Sequence, residues 1–254
     1  MHKPDVRISP GGEALNPQPP RPELEKPRAS KVRPELTGLP RITWWRKLFR
    51  RLLALLARIL VLIFTRCEVN GLQNFPRQGP ALIVINHLGD ADGLLGLAFF
   101  PAPVEALAKV ELYEYPLVGW IMQAYGVIWV HRGHPDRRSI QAVMQGLAEG
   151  RLVGIAPEGR ESVTGSLEEG TRGAAYLALK SNVPLVPVTF TGTENNRIYP
   201  NMLKLRRTSV SLTVGPSFRL EMLPDRRESI QLGTQYIMER LAMQLPPEYR
   251  GVYQ

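Results

Sequence analysis

His87 precedes Asp92 by five residues in the run Ile83-Val84-Ile85-Asn86-His87-Leu88-Gly89-Asp90-Ala91-Asp92-Gly93. A neutral imidazole oriented by a carboxylate can take a proton from a hydroxyl. Residues five apart on a regular helix point away from each other, so the two can converge only where the chain turns between them. Gly89 permits a turn, and Asp90 and Asp92 are helix-start residues. The segment ahead of them, Ala81 to Ile85, is wholly apolar. The pair is therefore expected at a strand-to-helix corner, where side chains project from a sheet edge into a cleft. The same spacing also fits a purely structural role, in which Asp92 or Asp90 caps a helix and His87 is a turn residue.

Three further clusters carry chemistry. Lys109-Val110-Glu111-Leu112 is followed by Gly126-Val127-Ile128-Trp129-Val130-His131-Arg132. Arg132 ends a strand in this reading, where its guanidinium could grip a phosphate bidentately while Lys109 adds a point charge. Taken singly, each also fits a surface charge. In Ile155-Ala156-Pro157-Glu158-Gly159-Arg160-Glu161-Ser162, an acid and a base flank a glycine that lets backbone approach a ligand. A tight turn with a surface ion pair is the alternative. In Asn182-Val183-Pro184-Leu185-Val186-Pro187-Val188, a helix exits into a buried strand, and Pro184 reads as a strand-start proline without a catalytic role.

These clusters need elements to hold them. Strands are expected at Ala81–Ile85, Val127–Val130, Leu152–Ile155, Leu185–Phe190 and Val210–Val214. Helices are expected at Asp90–Phe100, Leu117–Ala124, Ser139–Glu149, Gly170–Lys180 and Arg226–Leu245. Nearly continuous apolar strands separated by helices indicate an α/β fold with a mostly parallel sheet flanked by helices on both faces. Pro246-Pro247 ends the last helix.

Charge divides the chain of 254 residues unevenly. Its net +9 resides mainly in residues 41–66, which hold seven Lys/Arg and no acid, whereas residues 67–254 carry 18 basic and 18 acidic side chains. A nucleic-acid binder would spread positive charge over the folded surface, so nucleic acid is not the expected partner. Residues 1–40 contain nine of the 23 prolines and read as a disordered or extended tail; no signal peptide is expected there. The single cysteine, Cys67, excludes internal disulfides and Cys-cluster metal sites. Of the four histidines, His87 alone has a carboxylate in a suggestive setting, so no metal site is expected.

On a helical wheel of residues 43–65, Arg46, Lys47, Arg50, Arg51 and Arg58 share one arc. Trp44, Trp45, Leu48, Leu52, Leu55, Leu56, Ile59 and Ile63 lie opposite. A bilayer span wants about 20 apolar residues in a row, and Arg58 divides this stretch. The expectation is an in-plane amphipathic helix whose basic residues meet anionic headgroups while Trp and Leu enter the acyl boundary. A helix packed on the domain or on another subunit is the alternative.

In order and spacing, the four clusters resemble the blocks of the glycerolipid acyltransferases. Asn-His-x4-Asp is followed by Gly-x-Ile-x-Val-x-Arg about forty residues later, then by Pro-Glu-Gly-x and Val-Pro-x-Val-Pro-Val. The resemblance covers roughly residues 67–220, includes the Gly170–Leu179 segment, and comes nearest to the 1-acyl-sn-glycerol-3-phosphate (lysophosphatidic acid) acyltransferases. It implies an acyltransferase-like domain over 67–254 behind the 41–66 helix. His87 would be the general base and Asp92 its orienting partner, with Arg132 and Lys109 near the acceptor phosphate and Glu158, Gly159 and Arg160 in acceptor binding. Two departures stand out. The family usually has Ser two residues after the histidine, where this chain has Gly89. Its third block usually reads Glu-Gly-Thr-Arg-Ser, whereas here Arg160 comes one position early and Glu161 occupies the usual arginine position.

The activity so implied is transfer of an acyl group from an acyl-CoA or acyl carrier protein thioester to a lysophospholipid hydroxyl, chiefly to make phosphatidic acid in phospholipid biosynthesis. No cofactor beyond the donor is implied. The expected setting is a membrane surface bearing anionic lipids, with the protein peripheral or monotopic at the cytoplasmic face. The alternatives are another lyso-lipid or glycolipid acceptor, a hydrolase, and a non-catalytic lipid-binding protein. The Gly-x-Ser-x-Gly elbow of serine esterases is absent from the sequence.

Overall fold

A computed structural model describes residues 34–131 and 137–254. Helix α1 (Trp44–Phe64) runs directly into strand β1 (Thr65–Asn70), followed by β2 (Ala81–Ile85), α2 (Asp90–Phe99), β3 (Val104–Lys109), α3 (Pro116–Tyr125) and β4 (Ile128–Val130). Then come α4 (Arg137–Ala148), β5 (Leu152–Ile155), α5 (Arg172–Ser181), β6 (Leu185–Thr191), α6 (Asn195–Leu203), β7 (Thr208–Val214) and α7 (Arg226–Ala242). Arg132, His134 and residues 1–33 of the expected tail lie outside the described residues.

The strands form one sheet in the order β1-β7-β6-β2-β5-β3-β4. Every neighbouring pair in it is parallel except β6 and β7. The strands β2, β3, β4, β5 and β6 therefore end at one edge of the sheet, whereas β7 and β1 begin there. In parallel sheets that carboxyl edge is where ligands bind.

Alternation along the strands divides the core. Leu82 and Val84 of β2 pack with Val153, Ala142, Val143, Leu147, Ala174, Leu177, Ile237 and Met238 beneath α4, α5 and α7. Ile83 turns to the other face, with Val186, Val188 and Phe190 of β6, Leu95 of α2, and Ala57 and Val61 of α1. A smaller cluster of Ala108, Tyr125, Val127 and Trp129 fills the β3–β4 side against Phe49 and Leu53 of α1.

Helix α1 corrects part of the expectation. Arg50 does not reach outward. It is 7% exposed, and its guanidinium grips both oxygens of buried Glu105 at 3.1 and 2.7 Å. Its Nε donates to the Tyr125 carbonyl at 2.8 Å. Arg46 donates to the carbonyls of Ala124 and Gln123. These two arginines fasten the helix to the domain instead of meeting headgroups, because Arg50, Ala57 and Val61 form the stripe that packs inward. Leu48, Leu52, Leu55, Leu56, Ile59, Leu62 and Ile63 remain exposed. No helix among the described residues is long and apolar enough to cross a membrane.

Candidate active site

The corner after β2 is fixed from three directions. The Asn86 side chain, 1% exposed, pairs with the Phe190 backbone of β6, donating to its carbonyl at 2.9 Å and accepting from its N–H at 2.8 Å. This continues the β2–β6 ladder past the end of the strand. The Ser162 N–H donates to the His87 carbonyl at 2.7 Å. Asp92, in the first turn of α2, closes the turn through one oxygen: Oδ2 accepts the N–H groups of Leu88 at 2.7 Å and Gly89 at 3.1 Å.

The same Oδ2 stands 2.8 Å from His87 Nδ1. Asp92 thus holds both the helix start and the imidazole. Asp92 is buried, whereas His87 is 26% exposed at the carboxyl edge. A ring that donates Nδ1–H to a carboxylate carries its lone pair on Nε2, the tautomer required of a general base.

Gly89 has a steric reason. A Cβ there would stand 2.5 Å from the Thr193 carbonyl oxygen and 2.7 Å from Asn195 Oδ1. The loop after β6 thus packs directly on the corner, and a serine at this position would force it away.

Glu158 lies beneath the corner, 6% exposed. Its Oε1 accepts the His87 N–H at 3.3 Å and its Oε2 the Glu168 N–H at 2.9 Å. Burial pushes its carboxyl up to about 7, and the two backbone donors only partly offset that. Its carboxylate thus engages backbone, supporting the histidine from below. Gly159 adopts φ +76°, a left-handed conformation that favours glycine. Arg160 pairs with Glu168 at 2.6 Å.

Glu161 faces the site. Its carboxyl is raised by burial, and it lies in the electrostatic field of His87, Asp90, Asp92 and Lys109. Asn195, at the start of α6, donates to Glu161 at 2.9 Å and accepts the Asp90 N–H at 3.0 Å. Tyr199, one turn later, donates to Asp90 Oδ2 at 2.7 Å. Sequence reasoning missed Asn195 and Tyr199 because they lie over a hundred residues from the histidine, in a helix that carries an internal proline. Lys109 ends β3 at the same edge. Arg132 lies outside the described residues. Among those described, no group of three or more His, Cys, Asp or Glu is placed to hold a metal ion.

Fold and site together define a class: an α/β protein with a histidine–carboxylate pair at the carboxyl end of a central parallel strand. The sequence model of the family described as Acyltransferase matches residues 66–191. The chain is 32% identical over 155 residues to a 1-acyl-sn-glycerol-3-phosphate acyltransferase of Borreliella burgdorferi, which covers 58% of this chain and 60% of that protein. It is 30% identical over 132 residues to one of Bacillus subtilis, covering 51% of this chain and 65% of that protein. The chain thus spans less than two thirds of either relative's length. Among solved structures, the 1-acyl-sn-glycerophosphate (LPA) acyltransferase PlsC of Thermotoga maritima superposes with a TM-score of 0.60 at 22% identity, over 80% of this chain and 82% of that one. At that identity the likeness speaks for the fold. Residues 66–191 thus carry an Acyltransferase-family domain.

Proposed function

We propose that the protein is an O-acyltransferase that moves a fatty acyl group from an acyl thioester (acyl-CoA or acyl carrier protein) to the free hydroxyl of a lysophospholipid. The observation that carries this reading is the 2.8 Å contact between His87 Nδ1 and buried Asp92 at the carboxyl end of β2. The acceptor oxygen bonds to the thioester carbonyl carbon as its proton passes to His87 Nε2. Asp92 stays ionised, fixes the tautomer and stabilises the imidazolium. Collapse of the tetrahedral intermediate breaks the carbon–sulfur bond, and the leaving thiolate takes the proton from the imidazolium. Glu158 and Asn86 act as positioning residues that hold the corner.

The names of the relatives favour 1-acyl-sn-glycerol-3-phosphate as acceptor and phosphatidic acid as product, with Arg132 and Lys109 at the phosphate. One observation favours a second reading. Glu161, not a cation, lies in the electrostatic field of His87 and Lys109, and Arg160 is tied to Glu168. An acceptor whose headgroup offers a hydroxyl or ammonium donor would suit Glu161 better than a phosphate monoester. The exposed apolar side of α1 would rest in a membrane surface, with Lys47, Arg51 and Arg58 left to meet headgroups.

The test is His87→Ala in an assay of 1-acyl-sn-glycerol-3-phosphate with acyl-CoA. The expected loss is about 10²–10⁴-fold, the usual contribution of a general base. Unimpaired turnover rejects the assignment. Mass spectrometry of products from a panel of lyso-lipid acceptors decides between the two acceptor readings.

A further inference from the structure

We propose that the turn Met202–Arg207, between α6 and β7, is a second membrane-binding element that docks on an anionic lipid surface beside the His87 corner. The proposal rests on the reading of α1 as membrane-facing and adds a separate site to it. Leu203 and Leu205 are each 84% exposed, and Met202 beside them is exposed too. Lys204, Arg206 and Arg207 alternate with and follow these leucines, all three exposed. The chain carries no acidic residue between Glu194 and Glu221. Among the described residues, neither Lys204 nor Arg206 takes part in an ion pair.

The outward leucines are built in. Leu205 sits at φ +50°, a left-handed conformation that a leucine rarely adopts. The turn is held there by Leu205 N–H to the Met202 carbonyl at 3.1 Å and Arg206 N–H to the Asn201 carbonyl at 2.8 Å. The Asn201 side chain donates to Thr208 Oγ1 at 3.0 Å. A strained turn that displays two leucines to water gains nothing in water; placed in an acyl boundary, the same leucines are buried.

Location ties the turn to the lipid-facing side of α1. Arg207 donates from Nε to the Thr65 carbonyl and from Nη2 to the Leu62 carbonyl, both at 2.9 Å. Leu62 and Ile63, exposed in that last helical turn, are its neighbours. Thr65 pairs with Thr208, and Thr191 at the end of β6 lies near Ser211 of β7, so the turn and the end of α1 share the sheet edge that bears His87. Charge complementarity completes the argument. Helix α1 has no basic residue in its last turn, and Arg46 and Arg50 are engaged by the domain. Lys204 and Arg206 supply headgroup cations at the end where α1 has none. Helix α6 leads from this turn to Tyr199 and Asn195, which bond Asp90 and Glu161, a span of roughly 13 Å for nine residues.

The experiment measures binding of the full chain to vesicles of phosphatidylcholine with and without phosphatidylglycerol. A variant carrying Leu203→Ser, Leu205→Ser, Lys204→Ser and Arg206→Ser is expected to bind the anionic vesicles at least about thirty-fold more weakly, the effect of two interfacial cations alone. Its turnover of a short-chain acceptor dispersed as monomers stays unchanged. Vesicle binding equal to the parent overturns the proposal. If Leu55→Ser with Ile59→Ser then abolishes binding, the α1 reading stands alone; if that variant also binds normally, the α1 reading falls with it. Should the fourfold variant not fold, Leu205→Cys in a Cys67→Ser background, labelled with an environment-sensitive fluorophore, gives a second readout. A blue shift on anionic vesicles supports the proposal, and its absence overturns it.

Discussion

The His87 corner and helix α1 place charge and apolar surface in opposite ways. At the corner, polar groups are buried and engaged: Asn86 on Phe190, Asp92 on two N–H groups and an imidazole, Glu158 on two further N–H groups. Along α1, a row of leucines and isoleucines lies exposed while Arg50 is buried against Glu105. The corner holds its groups in fixed positions, as the base catalysis proposed for His87 would require. The exposed apolar helix surface is costly in water and would suit the lipid boundary proposed for it, and the buried arginine keeps the helix attached to the domain.

The contrast can be broken first at the corner. Asp92→Asn preserves a carbonyl oxygen for the Leu88 and Gly89 N–H groups but removes the negative charge that would stabilise the imidazolium. Activity is expected to fall about 10²–10⁴-fold with the melting temperature little changed, measured by steady-state turnover beside thermal denaturation. Asp90→Asn, whose carboxylate accepts from Tyr199 and does not touch the imidazole, should be mild by comparison. If the two variants behave alike, Asp92 has no special part in the chemistry.

At the helix, Arg50→Met leaves Glu105 buried with Arg151 as its remaining cation at 3.5 Å. Breaking a buried pair costs roughly 3–5 kcal/mol, and Arg151 should hold the loss near the lower end. Denaturant titration checks this, and adding Glu105→Leu should recover most of the loss. No recovery would mean that the arginine stabilises by packing and its carbonyl contacts, not through the carboxylate.

The smallest effect is a pH dependence. Glu158 titrates near 7 in the folded chain against an ordinary 4.5, so folding favours its protonated form. Its contribution is fully present below pH 4.5 and is lost as pH rises to about 7, on the order of 3 kcal/mol at most. The stability of the parent relative to Glu158→Gln should therefore decline across that window. A difference independent of pH would show that the carboxyl is already ionised throughout.

Much of this was legible in the residues. Ala81–Ile85, Leu152–Ile155 and Leu185–Phe190 are nearly continuous apolar runs and announce central, largely parallel strands. Strand β1, Thr-Arg-Cys-Glu-Val-Asn, escaped because an edge strand with one solvated side looks like a polar loop. Strand β3, Val-Glu-Ala-Leu-Ala-Lys, escaped because it carries Glu105, whose burial is made tolerable by Arg50 of α1 together with Arg151. Helix α6, with Pro200 inside, has no pattern to find.

The sequence by itself determined five of the strands and every helix but α6, the presence of a histidine and a carboxylate on either side of a turn, and a helix with one basic and one apolar arc. These are local properties, set by periodicity, chain turns and side-chain type. Tertiary structure decided which groups meet: Asp92 closing both the helix and the imidazole, Glu158 beneath His87, Asn195 joining Glu161 to Asp90, and Arg50 turned inward. Each of these depends on sheet order and on contacts between distant segments, which local pattern does not encode. Packing against the domain then determined which cations of α1 remained exposed.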